Sequence, residues 1–294
     1  MRRTSKKTSG LSRFMDQFNF KPKNALMVGV EREAFLCKRW EETRGNIWSG
    51  TPHYVELQRI CAEAERALRH LRRKPLTQCL ASAFGYELSA CQIETRTPPC
   101  DISHVEETLR FLDKYLRTNL REINLEPFYS EVASRKISLK VYPDARYERL
   151  ATALPRNVLR AACRVIGTHV HVGVGDHEEA MRVYNYVAPR WQALAKAGDG
   201  SNGRRLKIYR EMQPDLEPEP YRGWGDFYEH ALRDGFSENP RNNWKLVRIS
   251  KHGTIEFRMF GATESISKIT SWARRCHAMC ELALYPTQNQ EERV

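Results

Sequence analysis

The chain has 294 residues, 41% of them hydrophobic, with a mean hydropathy of −0.63. That is enough apolar mass for a packed core, yet no apolar run reaches membrane-spanning length, so on this reading an integral membrane protein is excluded. The formal net charge is +12, and about half of the surplus lies in residues 1–23, where Arg2, Arg3, Lys6, Lys7, Arg13, Lys21 and Lys23 face only Asp16.

Residues 1–23 read as a flexible basic tail. Two readings of it stay open: a solvated arm, and a contact with nucleic acid or another polyanion. No apolar segment follows Met1–Lys7, so an ordinary secretory signal is not expected and a cytoplasmic location is. The eight cysteines then read as reduced thiols; the nearest pair, Cys276 and Cys280, is one helical turn apart.

The remainder, 24–294, is expected to form a single catalytic domain. Ala25–Leu36 predicts a strand. Val55–Arg73 predicts an amphipathic helix, with Leu57, Ile60, Cys61, Ala64, Leu68 and Leu71 at helical spacing. Phe84–Thr97 predicts a bent strand that Pro98-Pro99 ends. Ser103 and Glu106 have capping-box spacing before a helix that turns Val105, Leu109, Leu112 and Leu116 inward. Asp176 and Glu179 open another helix, which Pro189 kinks or breaks. Ala197–Pro220 predicts a loop carrying Arg204, Arg205, Lys207 and Arg210, Asp226–Gly235 a short helix, Trp244–Phe260 a hairpin, and Ile266–Leu284 a last helix. Strands and helices in this irregular order imply an α+β fold with a mostly antiparallel sheet.

Three of these strands carry chemistry. They are Val28-Gly29-Val30-Glu31-Arg32-Glu33, Gly167-Thr168-His169-Val170-His171-Val172-Gly173 and Gly253-Thr254-Ile255-Glu256-Phe257-Arg258. Side chains in a strand repeat every two residues, so Glu31 with Glu33, His169 with His171, and Glu256 with Arg258 each share a face. A sheet face bearing that much charge needs compensation, and a divalent cation and phosphate are the natural compensators. Each pair also has a plainer reading: a solvated strand face for Glu31 and Glu33, a hydrogen-bonded core pair for the histidines, cross-strand ion pairs for Glu256 and Arg258. Glu87 and Glu94 are seven apart and converge only if the strand bends between them.

Taken in order, E-x-E, the bent strand with Ile93-Glu94-Thr95-Arg96-Thr97-Pro98, G-x-H-x-H and G-T-x-E-x-R resemble the glutamine synthetase superfamily, nearest to its carboxylate–amine ligases of the glutamate–cysteine ligase type. The resemblance runs from about Ala25 to Leu284. It implies a glutamine synthetase-like curved antiparallel sheet flanked by helices, with the active-site cleft on the concave face. It further implies that ATP and Mg²⁺ or Mn²⁺ are used to make an amide bond through an acyl phosphate. Carried over residue by residue, Glu33, Glu87 and Glu94 hold one metal and Glu31, His169 and Glu256 the other. Arg258 faces the transferred phosphoryl, and His171 lies near the ATP phosphates. Arg205 and Arg210, in the Ser201–Gln213 loop, read as contacts to an anionic ligand or as solvated surface.

The chain departs from the family pattern in two places. It ends soon after the last helix, where a longer helical extension is expected. The segment Ala193–Gly203 replaces an expected Ser/Asn-Pro stretch. Both leave the identity of the acid and amine open, and a peptide or an amino-modified nucleic acid stays in view as substrate. Two other functions share the fold: a catalytically silent module that binds nucleic acid or protein, and a phosphotransferase. No membrane contact is expected, and the oligomeric state is not legible.

Overall fold

The computed structural model describes residues 9–39, 59–73 and 82–286. Its seven strands are β1 (Val28–Lys38), β2 (Phe84–Tyr86), β3 (Gln92–Arg96), β4 (Leu125–Phe128), β5 (Gly167–Gly173), β6 (Val247–Ser250) and β7 (Thr254–Gly261). They form one sheet in the order β2-β3-β1-β5-β7-β6, with β4 beside the far end of β1. Every pairing is antiparallel. The expected α+β architecture, an antiparallel sheet flanked by helices, is what the chain adopts.

One face of the sheet is covered. Val28, Val30, Val170, Val172, Ile255 and Phe257 pack with side chains of α6 (His177–Val187) and α10 (Ile266–Leu284), among them Val183, Val187, Ile269 and Cys276. A second cluster joins Phe35 and Leu36 to Leu68 of α2 (Ala64–Arg72) and to Leu112 and Leu116 of α3 (Val105–Arg121). Arg32 also points to this covered face and is 2% exposed. Asp113 takes its guanidinium at 2.6 Å and the Tyr129 ring lies 3.5 Å beneath it. The charge that makes β1 look two-sided in sequence is therefore neutralised inside the core.

Several local expectations shift. Residues Val55–Gln58 of the first predicted helix lie outside the described residues. Ile60 and Cys61 are not helical: Ile60 bridges Cys37, and Cys61 N–H donates to Leu36 O at 2.9 Å. Asp101, two residues ahead of the expected box, caps the 3₁₀ turn that leads into α3 by accepting from Ser103 N–H. Asp176 caps α6 by accepting from Glu179 N–H, while the Glu179 carboxylate reaches back to Gly175 N–H rather than to Asp176. Pro189 sits in a 3₁₀ turn that separates α6 from α7 (Trp191–Gly198). The predicted arginine loop contains a helix, α8 (Arg204–Tyr209). At the β6–β7 turn Gly253 has φ +74°, and an added Cβ there would meet the Asn19 carbonyl, so both conformation and space call for glycine.

Candidate functional site

Strand register builds the site. Glu33 of β1 stands opposite Glu94 of β3, which stands opposite Gly85 of β2. Glu31 stands opposite His169 on one side and Arg96 on the other. His171 stands opposite Glu256, and Glu256 opposite Arg248 of β6. Because side chains directly opposite share a face, these pairings gather the charged residues of five strands on the face away from the helical core. Residues 87–91 turn the chain between β2 and β3, which brings Glu87 back beside Glu94 as the predicted bend requires.

Two groups result, lining one cavity of about 590 Å³. Carboxylate oxygens of Glu33, Glu87 and Glu94 lie within 4.8 Å of one another. Ligand atoms of Glu31, His171 and Glu256 do the same. His169 lies between the groups, with Nδ1 3.1 Å from Glu31 and Nε2 3.7 Å from Glu33. Among the described residues, the tight cluster around Glu31 and Glu256 thus takes in His171, and His169 links the two acids of β1.

The electrostatics of the two groups differ. Burial, then the Glu87 charge, push Glu33 up to about 8. Burial followed by Glu31 raises Glu87, and burial followed by Glu31 and Glu87 lifts Glu94 well above the carboxylate range. Arg205 and Arg258, Arg96 at 3.1 Å from Glu94, and Gly167 N–H at 2.6 Å from Glu33 offset this without overcoming it. Three buried carboxylates in mutual reach do not all ionise without further positive charge.

In the second group the acids are held ionised. Burial would raise Glu256, but Arg248 and Arg258 outweigh it and depress it. Arg248 grips Glu256 with two bonds, at 2.6 and 3.0 Å, and Arg258 Nη1 donates to the same carboxylate. Burial would likewise raise Glu31, yet the nearby charge of His171 and the bond to His169 keep it well below its ordinary value. His171 is raised: burial opposes this, and Glu31 and Glu256 prevail. His169 is lowered to about 4 by burial and then by Arg258.

These features fit a bound divalent cation. The first group is a hard-oxygen cage with excess negative charge. In the second, Thr254 Oγ1 bonds His171 Nδ1 at 2.9 Å, and the buried Nε2 is left with no hydrogen-bond partner, 3.5 Å from Glu31. A neighbour that fixes one imidazole nitrogen and frees the other is the usual arrangement behind a metal-binding histidine.

The two loop arginines behave differently from expectation. Arg205 lines the cavity but is 3% exposed, and its guanidinium is spent on backbone carbonyls of Ile166 (2.8 Å), Met259 (3.2 Å) and Arg258 (3.3 Å). The reason is a bulge: Thr168 pairs with Phe260 and Val170 with Phe257, so Arg258 and Met259 share one partner position. Arg205 satisfies the carbonyls that the irregularity leaves over. Gly167 makes room, since a Cβ there would lie 2.2 Å from the Arg205 guanidinium. Arg210 instead pairs with Glu217 at 2.9 Å on the surface and does not line the cavity. Exposed pairs contribute about 0–1 kcal/mol, so Arg210→Ala is expected to leave both the denaturation midpoint and nucleotide affinity at the wild-type values. A clear loss of affinity in that variant would restore Arg210 to the site.

Arg248, Thr254, Tyr209 and Tyr147 also belong to the site and were not singled out from sequence. Arg248 had a usable signal: counting back across the predicted hairpin from Glu256 reaches it. Tyr209, whose hydroxyl accepts from Arg258 Nε at 3.4 Å, had none, because α8 reaches β7 only through tertiary packing.

Comparison with known proteins adds to the geometry. Residues 27–285 match the model of glutamate-cysteine ligase family 2. A protein of Gloeobacter violaceus named "Putative glutamate--cysteine ligase 2" is 28% identical over 300 residues, covering 93% of this chain and 72% of that protein. One of Frankia casuarinae, "Putative glutamate--cysteine ligase 2-1", is 28% identical over 226 residues, covering 70% of this chain and 58% of the relative. The chain thus spans less than two thirds of the Frankia protein's length. Among solved structures, a bifunctional glutathione synthetase from Pasteurella multocida superposes with a TM-score of 0.49 at 14% identity, over 87% of this chain and 39% of that one. No described helix is long and apolar enough to cross a membrane.

Proposed function

Since the chain belongs to glutamate-cysteine ligase family 2, we propose that it joins a carboxylate to an amine at the expense of ATP, with Mg²⁺ or Mn²⁺ as cofactor. The observation that carries this reading is the pair of acid clusters side by side in one cavity with Arg258 beside them. Glu33, Glu87 and Glu94 would hold one cation, and Glu31, Glu256 and the histidine pair a second. Bound there, the cations neutralise phosphate charge and polarise the phosphoryl group.

The chain's own residues supply position and charge. Arg248 and Arg258 pin the Glu256 carboxylate from two sides. Arg258 is 13% exposed, remains protonated and presents a planar donor set that suits a transferring phosphoryl. In the proposed reaction a carboxylate oxygen attacks the γ-phosphorus and ADP departs. The amine nitrogen then attacks the acyl carbon, phosphate leaves, and the amine gives up a proton.

A mass-resolved screen of acid and amine pairs with ATP and Mg²⁺ tests the reading, glutamate with cysteine being the first pair in view of the relatives' names. The expected product has the mass of acid plus amine less one water, formed with equal amounts of ADP and phosphate. A phosphorylated acceptor as the end product makes the protein a phosphotransferase; nucleotide binding without turnover makes it a binding module. Arg258→Lys is expected to lower kcat by about tenfold or more, with nucleotide affinity nearly unchanged, as for other lost contacts to developing charge.

A further inference from the structure

The cavity is chemically lopsided, and the acid clusters do not account for it. Beside Glu87 the wall is made by a helical hairpin, α4 (Ala145–Ala153) and α5 (Arg156–Arg164). Leu150, Leu154, Val158 and Ala162 line the same cavity as Glu87 and Glu94. Val158 and Ala162 are four residues apart and share one side of α5, while Leu150 lies in the last turn of α4 and Leu154 directly follows that helix in extended conformation. All four are only partly buried; Leu159 and Cys163 of the same hairpin are buried on Leu88, and Leu150, Leu154 and Ala162 border that small cluster. The hairpin is fastened to the metal-site strand: Gln92 Nε2, two residues before Glu94, donates to Val165 O at 3.2 Å and Cys163 O at 3.3 Å.

Cations line the same cavity from two elements, Arg146 of α4 and Lys251 of the β6–β7 turn, close enough for each to feel the other's charge. Arg241 lines the cavity too, and neither it nor Lys251 has an acid within ion-pair distance among the described residues. Lys251 belongs to the hairpin whose Thr254 holds His171 and whose Arg248 holds Glu256. Nucleotide phosphates match these cations in charge, and the apolar side chains, fastened to the strand of the first acid cluster, suit an uncharged part of another substrate.

We infer that the α4–α5 hairpin is a specificity wall and that the substrate lying against it carries an aliphatic or aromatic side chain, on either the acid or the amine. The assignment rests on the ligase reading for the reaction and on the wall's chemistry for the substrate class. A substrate carboxylate laid on Leu150, Leu154, Val158 and Ala162 is disfavoured, whereas Arg146 at the start of α4 would favour one.

The test uses the full chain with Mn²⁺ and ADP. Calorimetry measures binding of leucine, phenylalanine, serine and glutamate, and of the amides and N-acetyl forms of the apolar pair, which assign the wall to acid or amine. ADP release is then followed with ATP and the same compounds in pairs. The apolar compounds are expected to bind about tenfold or more tightly than the polar ones, the scale of discrimination that one or two methylene groups supply in such a pocket. Val158→Thr, nearly isosteric, and Leu154→Asn should weaken them by about tenfold while changing the KM for ATP by less than about twofold. A raised KM for ATP in these variants would put the adenine on the wall and overturn the assignment, as would equal binding of polar and apolar compounds. Retained apolar binding with no ADP release from any pair supports the wall and rejects the ligase reading. Glutamate ligation unchanged in both variants does the reverse.

Discussion

Freed of divalent cation, the protein is expected to lose thermal stability as the pH rises from about 6.5 to about 8, and Mg²⁺ or Mn²⁺ is expected to restore it. The cause is the first acid cluster, where burial and neighbouring carboxylates raise Glu33 to about 8 and also raise Glu87 and Glu94. An acid raised on folding binds more protons folded than unfolded between its two pKa values, so stability falls as pH climbs through that interval. Each pH unit is worth about 1.4 kcal/mol for one fully linked proton. His169, lowered to about 4, works in the opposite sense, but only up to the ordinary histidine range. Above that range its influence ends, and the raised His171 adds to the decline. Melting temperatures across pH 5–8 in chelator and in Mn²⁺ check this. Glu33→Gln should flatten the chelator profile and weaken Mn²⁺ binding together. A flat wild-type profile, or unchanged Mn²⁺ affinity in the variant, removes the basis for a metal in this cage.

Arg205→Ala is expected to destabilise the fold by about 2–4 kcal/mol, since it leaves buried carbonyls of β7 and of the residue preceding β5 unpaired, at about 1–3 kcal/mol for each polar group so left in the interior. The affected groups are Ile166 O and Met259 O, with Arg258 O at longer range. Denaturant unfolding measures the loss directly. Since the bulge it supports also presents Arg258, kcat should fall in Arg205→Ala more than nucleotide affinity does. Wild-type stability with a raised KM for ATP would mean that the guanidinium belongs to the ligand after all. The expectation that this arginine sits in a loop with little part in the core is corrected by α8, which carries Arg205 to 3% exposure.

The strands were legible because their evidence is local. Alternation at Val28–Glu33, the H-x-H at His169 and His171, and the Gly253 turn state which residues share a face, whatever the rest of the chain does. The last helix, Ile266–Leu284, was legible with the bounds it shows in the structure, since Ser265 accepts from Lys268 N–H at its start and a continuous apolar stripe follows. The α+β class followed from element order alone. The cap before α3 was read two residues late, because Asp101 accepts from both the N–H and the hydroxyl of Ser103.

What composition, periodicity and motif order determined by themselves is therefore the list of charged strand residues, their pairing on faces and the need for a compensating charge. Only the tertiary structure decided which of them meet. Glu33 faces Glu94, and His171 faces Glu256, because antiparallel register places them opposite one another across gaps of dozens of residues. Nothing in a strand's own sequence specifies its partner's register when both faces mix charged and apolar residues. The same holds for Arg32 and Arg205, which carry charges that look solvent-bound in the sequence. Each is buried because a distant element, Asp113 in one case and the β5–β7 bulge in the other, supplies the polar partners that make burial tolerable.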